Sequence, residues 1–263
     1  MEEEKLPVTS HLEELRSRLI KCVVAVGVGF LAVYPFSKHV FNFLVSPLVK
    51  VMPEDGKLIY TSLPEAFLTY LKVSFFAGLI LATPVIIYQI WKFVMPGLYE
   101  NERRYVIPFV LVGTIFFFIG ASFAFFVVFP LGFQFFLGFT TDNIAALPSM
   151  REYLGFAMRL LFAFGVTFEL PLVMYFLAKM GIVKPGMLRK QRKFAILIIA
   201  LGSAILTPPD VLSMILLSIP LYGLYEISIW VTHLVVRNKE VKDAEESGSE
   251  NAEPEATDPE EKE

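Results

Sequence analysis

The sequence predicts an all-α protein that crosses a membrane several times, and three observations carry that expectation. Of the 263 residues, 55% are hydrophobic and 26 are phenylalanine, with a mean hydropathy of +0.60, well beyond an average soluble domain. Several runs of mostly apolar residues reach the ~20 that a helix needs to cross a ~30 Å hydrocarbon core. The short alternating segments of a transmembrane barrel are missing, and in lipid an apolar run must satisfy its own backbone as a helix.

Taken in order, the chain opens on MEEEKLPVTS. This start is acidic where a secretory signal is basic, and no small-residue cleavage site follows the first apolar run, so that run is expected to stay uncleaved. In SHLEELRSRL, Ser10 followed by Glu13 has capping-box spacing and predicts a helix start. Leu12, Leu15 and Leu19 share one face, which predicts a cytoplasmic amphipathic helix over residues 1–18 that lies at the interface before turning into the membrane. Glu14 and Arg18 stand i, i+4, and by spacing alone they are a routine surface pair.

Six membrane segments follow, at about residues 19–36, 73–94, 106–129, 153–177, 194–206 and 211–236. The loop from Ser37 to Lys72, with Pro47, Pro53 and Pro64, is long enough for short helices of its own. The fifth segment has only 13 residues, which span ~20 Å, so the bilayer must thin there or the segment must lie against protein. Two prolines in LTPPDVLS end it, and Asp210 is placed to cap the sixth. From Lys239 to Glu263 there are 11 acidic and 3 basic residues, which predicts a disordered acidic tail over 237–263. The rest of the chain carries a net charge of +5.

Lysine and arginine set the orientation. With the N-terminus inside, 17 of these residues fall on the cytoplasmic side and 6 outside, so both termini are expected in the cytoplasm. Arg103 and Arg104 in LYENERRYVIP serve as inner-side anchors, but Glu100 and Glu102 beside them do not. A carboxylate at such an edge can accept a guanidinium in a two-bond fork, which lysine cannot reproduce.

Charges inside the segments are costly, about 3 kcal/mol for a carboxylate at a helix centre even on lenient scales. Glu169, in FGVTFELPLV, is eight residues from the inner end of its segment, ~12 Å deep. Pro171 adds a bend there, because it has no N–H for the Thr167 carbonyl. A structural hydrogen bond to a neighbouring helix and a polar contact for a partner or transported segment both fit Glu169. A lone carboxyl without a chain of partners gives little support to a proton relay. Glu226 is a second charge, nearer the inner interface, and equally open to a structural role.

Other classes find less support. His11, His39 and His233 fall near segment ends, HLEEL lacks the second histidine of a zinc HExxH motif, and no membrane aspartate pair or glycine-rich phosphate loop appears. Cys22 is the single cysteine and has no metal-ligand spacing around it. The reading is therefore not an enzyme, with no cofactor, no metal and no nucleic-acid partner. The main rival is a secondary transporter or channel for small solutes, suggested by proline-interrupted segments and an intramembrane carboxyl. No inverted repeat supports it. Solute flux without peptide binding would favour it, and an intramembrane protease would require catalytic residues that the sequence does not propose.

Together these stretches resemble the TatC family of the twin-arginine protein translocase. The residues that carry the resemblance are HLEELRSRL, SPL at Ser46–Leu48, PVIIYQIWKFVMPGLYENERR from Pro84, FVVFPLGF from Phe126, FGVTFELP and LTPPD, covering about residues 9–237. The resemblance implies a six-helix protein of the bacterial inner membrane, shaped like a cupped hand. Such a protein receives signal peptides with two adjacent arginines and exports folded passengers with the proton-motive force. It implies TatA and TatB as single-span partners, surrounding membrane lipid, and a multi-copy complex. By motif match the signal-binding carboxylates fall on Glu14 and Glu102, with Arg16, Arg18 and Phe93 in the same region. The membrane glutamate falls on Glu169, and Pro47 and Asp210 take outer-side structural positions. Where some members have a tyrosine, this chain has Phe125.

Overall fold

Helices account for nearly all of the secondary structure in this computed structural model, which describes residues 8–53, 57–94, 106–139, 147–207 and 210–250. In chain order they are α1 (Val8–Val33), α2 (Ser37–Val49), α3 (Glu65–Val94), α4 (Val106–Phe123), α5 (Phe129–Leu137), α6 (Met150–Phe168), α7 (Leu170–Lys179), α8 (Pro185–Lys190), α9 (Arg192–Leu206) and α10 (Val211–Glu250). Among the described residues, five helical stretches are long and apolar enough to cross a membrane: Leu12–Val49, Glu65–Phe93, Ile107–Leu137, Met150–Lys179 and Val211–Asn238. Helix α9, with 15 residues, is not among these five, and it coincides with the fifth sequence segment.

Four expectations need correction. Helix α1 is already formed at Val8 and runs unbroken to Val33, so Ser10 lies inside its first turns, and no bend separates an interfacial helix from the first span. Helix α3 begins at Glu65 rather than near residue 73. The third span continues to Leu137, through a wider π turn at Ala124–Val128. That turn precedes Pro130, whose ring would crowd the Phe126 carbonyl in a regular helix. Finally, α10 extends through Glu250, so the first part of the acidic tail is helical.

The chain forms two compact units, Met1–Glu169 with Ala200–Leu221, and Leu170–Ile199 with Tyr222–Glu263. In the first, α1 and α3 pack closely because two glycines meet. A Cβ on Gly29 would stand 2.6 Å from the Gly78 carbonyl oxygen, and one on Gly78 would stand 2.4 Å from the Phe30 nitrogen. The pair is antiparallel, since Phe41, beyond the end of α1, meets Tyr70, which precedes Gly78, at 5.3 Å between ring centroids.

Part of the abundant phenylalanine packs in the core, while other rings, Phe43 among them, stay exposed. Rings run from Phe43 to Phe125 (4.6 Å), Phe129 (5.9 Å), Phe133 (5.5 Å) and Tyr153 (5.1 Å), linking α2, α5 and α6. Phe129 is fully buried. Phe125 lies parallel to Phe43, so its site is built for an apolar face and asks for no hydroxyl. The Tyr153 hydroxyl donates to the Leu44 carbonyl at 2.7 Å, fastening α6 to α2. In the second unit, the Tyr225 hydroxyl donates to the Leu188 carbonyl at 2.8 Å, holding α8 against α10.

Candidate functional site

Three places along the chain carry polar groups that packing alone does not require. The first is the end of the α1–α3 pair that holds Glu14 and Phe93. Glu14 is 15 residues before Gly29 and Phe93 is 15 residues after Gly78. In an antiparallel pair both therefore lie ~22 Å from the glycine crossing in the same direction. Arg18 folds back one turn, and its Nε and Nη2 both donate to Glu14 Oε1, the former at 3.1 Å. Arg18 and Glu14 are half-buried, Arg16 is exposed and Phe93 is half-buried. One residue before Phe93, the Lys92 ammonium sits 5.7 Å from the ring centroid of Tyr88, one turn earlier on the same helix. Glu102 lies outside the described residues, as do Glu100, Arg103 and Arg104.

The second place is Glu169. Helix α6 stops at Phe168 and α7 starts at Leu170. Pro171 would donate to the Thr167 carbonyl in a continuous helix but has no N–H to give. The Glu169 N–H instead donates to the Val166 carbonyl at 3.1 Å, one residue short of the α pattern. The Thr167 hydroxyl turns away to the Ala163 carbonyl at 2.7 Å. Glu169 Oε1 is buried with no hydrogen-bond partner among the described residues, and so is Thr114 Oγ1 of α4. A buried acceptor in this state costs ~1–3 kcal/mol. Glu226 is different, because Tyr222 donates to its Oε1 at 2.6 Å and Arg192 Nη2 to its Oε2 at 2.8 Å.

The third place joins the loops before α3 and before α6. Glu65 is buried and accepts five hydrogen bonds. Oε2 takes the Thr61 N–H at 2.7 Å, the Thr61 hydroxyl at 3.0 Å and the Ser62 N–H at 3.3 Å, while Oε1 takes the Ser149 hydroxyl at 3.1 Å and the Arg151 N–H at 3.2 Å. Two backbone bonds reinforce this clasp, from Ile59 N–H to the Pro148 carbonyl at 3.1 Å and from Met150 N–H to the Ile59 carbonyl at 2.8 Å. Sequence reasoning missed Glu65. The signal was present, because Ser62 and Glu65 in SLPE have the capping-box spacing that was read at Ser10.

Pro47 and Asp210, the two structural positions that the family pattern implied, have local explanations. Pro47 sits inside α2, where it cannot donate to the Phe43 carbonyl, and the Ser46 hydroxyl supplies that bond at 2.8 Å. Asp210 caps α10 as its position in the sequence implied. The Ser213 N–H donates to Asp210 Oδ1 at 2.7 Å and the Ser213 hydroxyl to Oδ2 at 2.5 Å. Those donors, the hydroxyl first, hold the Asp210 carboxyl below the usual carboxylate range.

Comparison with known proteins gives the family. The family described as "Sec-independent protein translocase protein (TatC)" matches residues 10–220. A TatC protein of Desulforapulum autotrophicum is 54% identical over 251 residues, 95% of this chain and 92% of the relative. The TatC protein of Escherichia coli K12 is 40% identical over 241 residues, 90% of this chain and 93% of the relative. A crystal structure of the twin arginine translocase receptor TatC superposes with a TM-score of 0.79 at 41% identity, covering 86% of this chain and 99% of that one.

Proposed function

Because this chain belongs to the TatC family of Sec-independent protein translocases, we propose that it is the receptor that binds twin-arginine signal peptides and starts the export of their folded passengers. It is a multi-pass membrane protein and a transport component rather than an enzyme. In this reading it resides in the bacterial inner membrane with both termini in the cytoplasm, as the lysine and arginine distribution favours. It works with TatA and TatB in a multi-copy complex driven by the proton-motive force.

The observation that carries the binding mechanism is the Glu14–Arg18 contact at the end of the α1–α3 pair. Glu14 already accepts a guanidinium from its own helix, which supports its reading as the acceptor of a signal-peptide arginine. An incoming arginine exchanges with Arg18, which keeps the half-buried carboxylate paired throughout. Before that exchange Arg18 holds the carboxylate, Arg16 is an exposed cation two residues along, and Phe93 offers an apolar wall. Glu102 supplies the second carboxylate, for the second arginine. A charge-assisted pair of this kind contributes ~1.5–3 kcal/mol and favours arginine over lysine through its forked geometry.

Glu169 has the second role. Its unpartnered oxygen is a polar contact for the apolar segment of the signal peptide or for the membrane helix of TatA or TatB. Photo-cross-linking of a signal peptide in membrane vesicles tests the receptor reading, comparing Arg-Arg with Lys-Lys peptides on wild type, Glu14→Ala and Glu102→Ala. Cross-links that need both arginines and both carboxylates are expected. A folded protein that forms no cross-links would return the solute-transporter class to the front.

A further inference from the structure

The first unit holds a cavity of about 610 Å³ that the receptor mechanism does not use. Its wall is almost entirely apolar, from Phe30 of α1, Phe75, Phe76 and Leu79 of α3, and Phe162 of α6. Two cations, Lys72 of α3 and Arg159 of α6, line it as well. Both are exposed, and neither forms an ion pair among the described residues. Arg159 Nε donates to the Gly155 carbonyl at 3.0 Å.

The order of these groups along the helices is informative. The Glu65 clasp brings the start of α3 and the start of α6 to one level through Ser149 and Arg151. Lys72 is seven residues from Glu65 and Arg159 is nine from Met150, so the cations stand ~10–14 Å along from that level. Phe75 to Leu79 lie 10–14 residues from Glu65, and Phe162 lies 12 from Met150, ~15–21 Å along. The cavity therefore grades from cationic at one end to aromatic and aliphatic at the other. Two unpaired cations at this depth of a span are costly unless they meet an anion or reach the interface. A helical polypeptide segment brings no fixed anion to that depth, whereas an anionic phospholipid brings a phosphate above an acyl chain. The guanidinium suits the phosphate oxygens and the ammonium serves as a point charge. The volume lies within the ~300–1,000 Å³ typical of ligand sites.

We infer that this cavity is a binding site for an anionic phospholipid, with the headgroup between Lys72 and Arg159 and one acyl chain against Phe75, Phe76, Leu79 and Phe162. In the orientation proposed above it is a lipid of the outer leaflet. The site does not depend on the signal-peptide reading.

Native mass spectrometry of the full chain, released from nanodiscs of mixed phosphatidylglycerol and phosphatidylcholine, tests it. Wild type is expected to retain phosphatidylglycerol over phosphatidylcholine. Lys72→Gln and Arg159→Gln are each expected to lower that preference about fivefold, the effect of one cation near an anionic headgroup. Lys50→Gln, on the same side but outside the cavity, leaves it unchanged. Gly155→Leu fills the cavity, where an added Cβ meets nothing within 4 Å, and is expected to reduce retention of both lipids without lowering the unfolding temperature. If Gly155→Leu does not fold, the two exposed-cation variants decide. The inference is overturned if wild type shows no preference, or if the Lys72→Gln/Arg159→Gln double variant keeps it. It is equally overturned if a twin-arginine signal peptide displaces the phosphatidylglycerol, which would assign the cavity to the peptide.

Discussion

Glu169 and Glu226 are both glutamates inside apolar spans, yet one is satisfied and the other is not. Glu226 has Tyr222 one turn away on its own helix and Arg192 reaching it from α9, so each oxygen has a donor. Glu169 sits where Pro171 interrupts the helix, and its Oε1 is buried without a donor among the described residues. A carboxylate that its own fold completes is explained by the fold. One left incomplete costs ~1–3 kcal/mol, and it is for this one that the partner role is proposed. Glu65, with five donors, marks the fully completed end of the same scale.

The largest expected effect would break the comparison at Glu169. Glu169→Ala should lower transport and partner cross-linking at least tenfold while leaving thermal stability equal to or above wild type, because it removes an unpaired buried acceptor. Unchanged transport and cross-linking would remove the partner role and leave a structural glutamate. Glu169→Gln keeps a polar contact but cannot carry a proton. Retained transport in that variant would exclude a proton relay.

Next in size is Glu65→Ala, which strands two backbone N–H groups of one loop and a backbone N–H and a hydroxyl of the other. Its melting temperature in detergent should fall by roughly 5 °C or more. Glu65→Gln, which keeps only one acceptor oxygen, should recover part of the loss. Glu226→Ala should cost less, about 1 kcal/mol, because Arg192 and Glu226 are partly exposed and their pair is screened. If its loss equals that of Glu65→Ala, burial is not what separates the completed sites.

Two smaller effects sharpen the picture at helix ends. Asp210→Ala should cost ~1 kcal/mol through the lost cap of α10. The Asp210 carboxyl is held below its ordinary value, so its contribution is present above the unfolded pKa and disappears as pH falls through the folded one. The gap between Asp210→Ala and wild type in thermal unfolding should therefore close below about pH 4. Ser46→Ala leaves the Phe43 carbonyl without a donor beside Pro47 and should cost ~0.5–1 kcal/mol.

Much of this was legible in the chain itself. The apolar runs, the short fifth segment and the Asp210 cap are local properties, set by residues within a turn or a span of one another. The Glu14–Arg18 pair was legible for the same reason, being one helical turn apart. Helix boundaries were less so. The sequence placed the start of α3 at residue 73 because hydropathy rises there, whereas the Glu65 clasp begins the helix a further two turns earlier.

By itself, then, the sequence determined that the protein is a bundle of membrane helices, where each apolar span lies, and which carboxylates sit in unfavourable places. Only the tertiary structure decided which of those carboxylates are completed. Two of the five donors to Glu65 come from 84 and 86 residues away, and one of the two donors to Glu226 from 34 away. The cations and rings of the lipid cavity likewise come from α1, α3 and α6. Hydropathy and helical period act along one helix, but a hydrogen-bond partner or a cavity wall depends on which helices become neighbours, and that is fixed by packing across the fold.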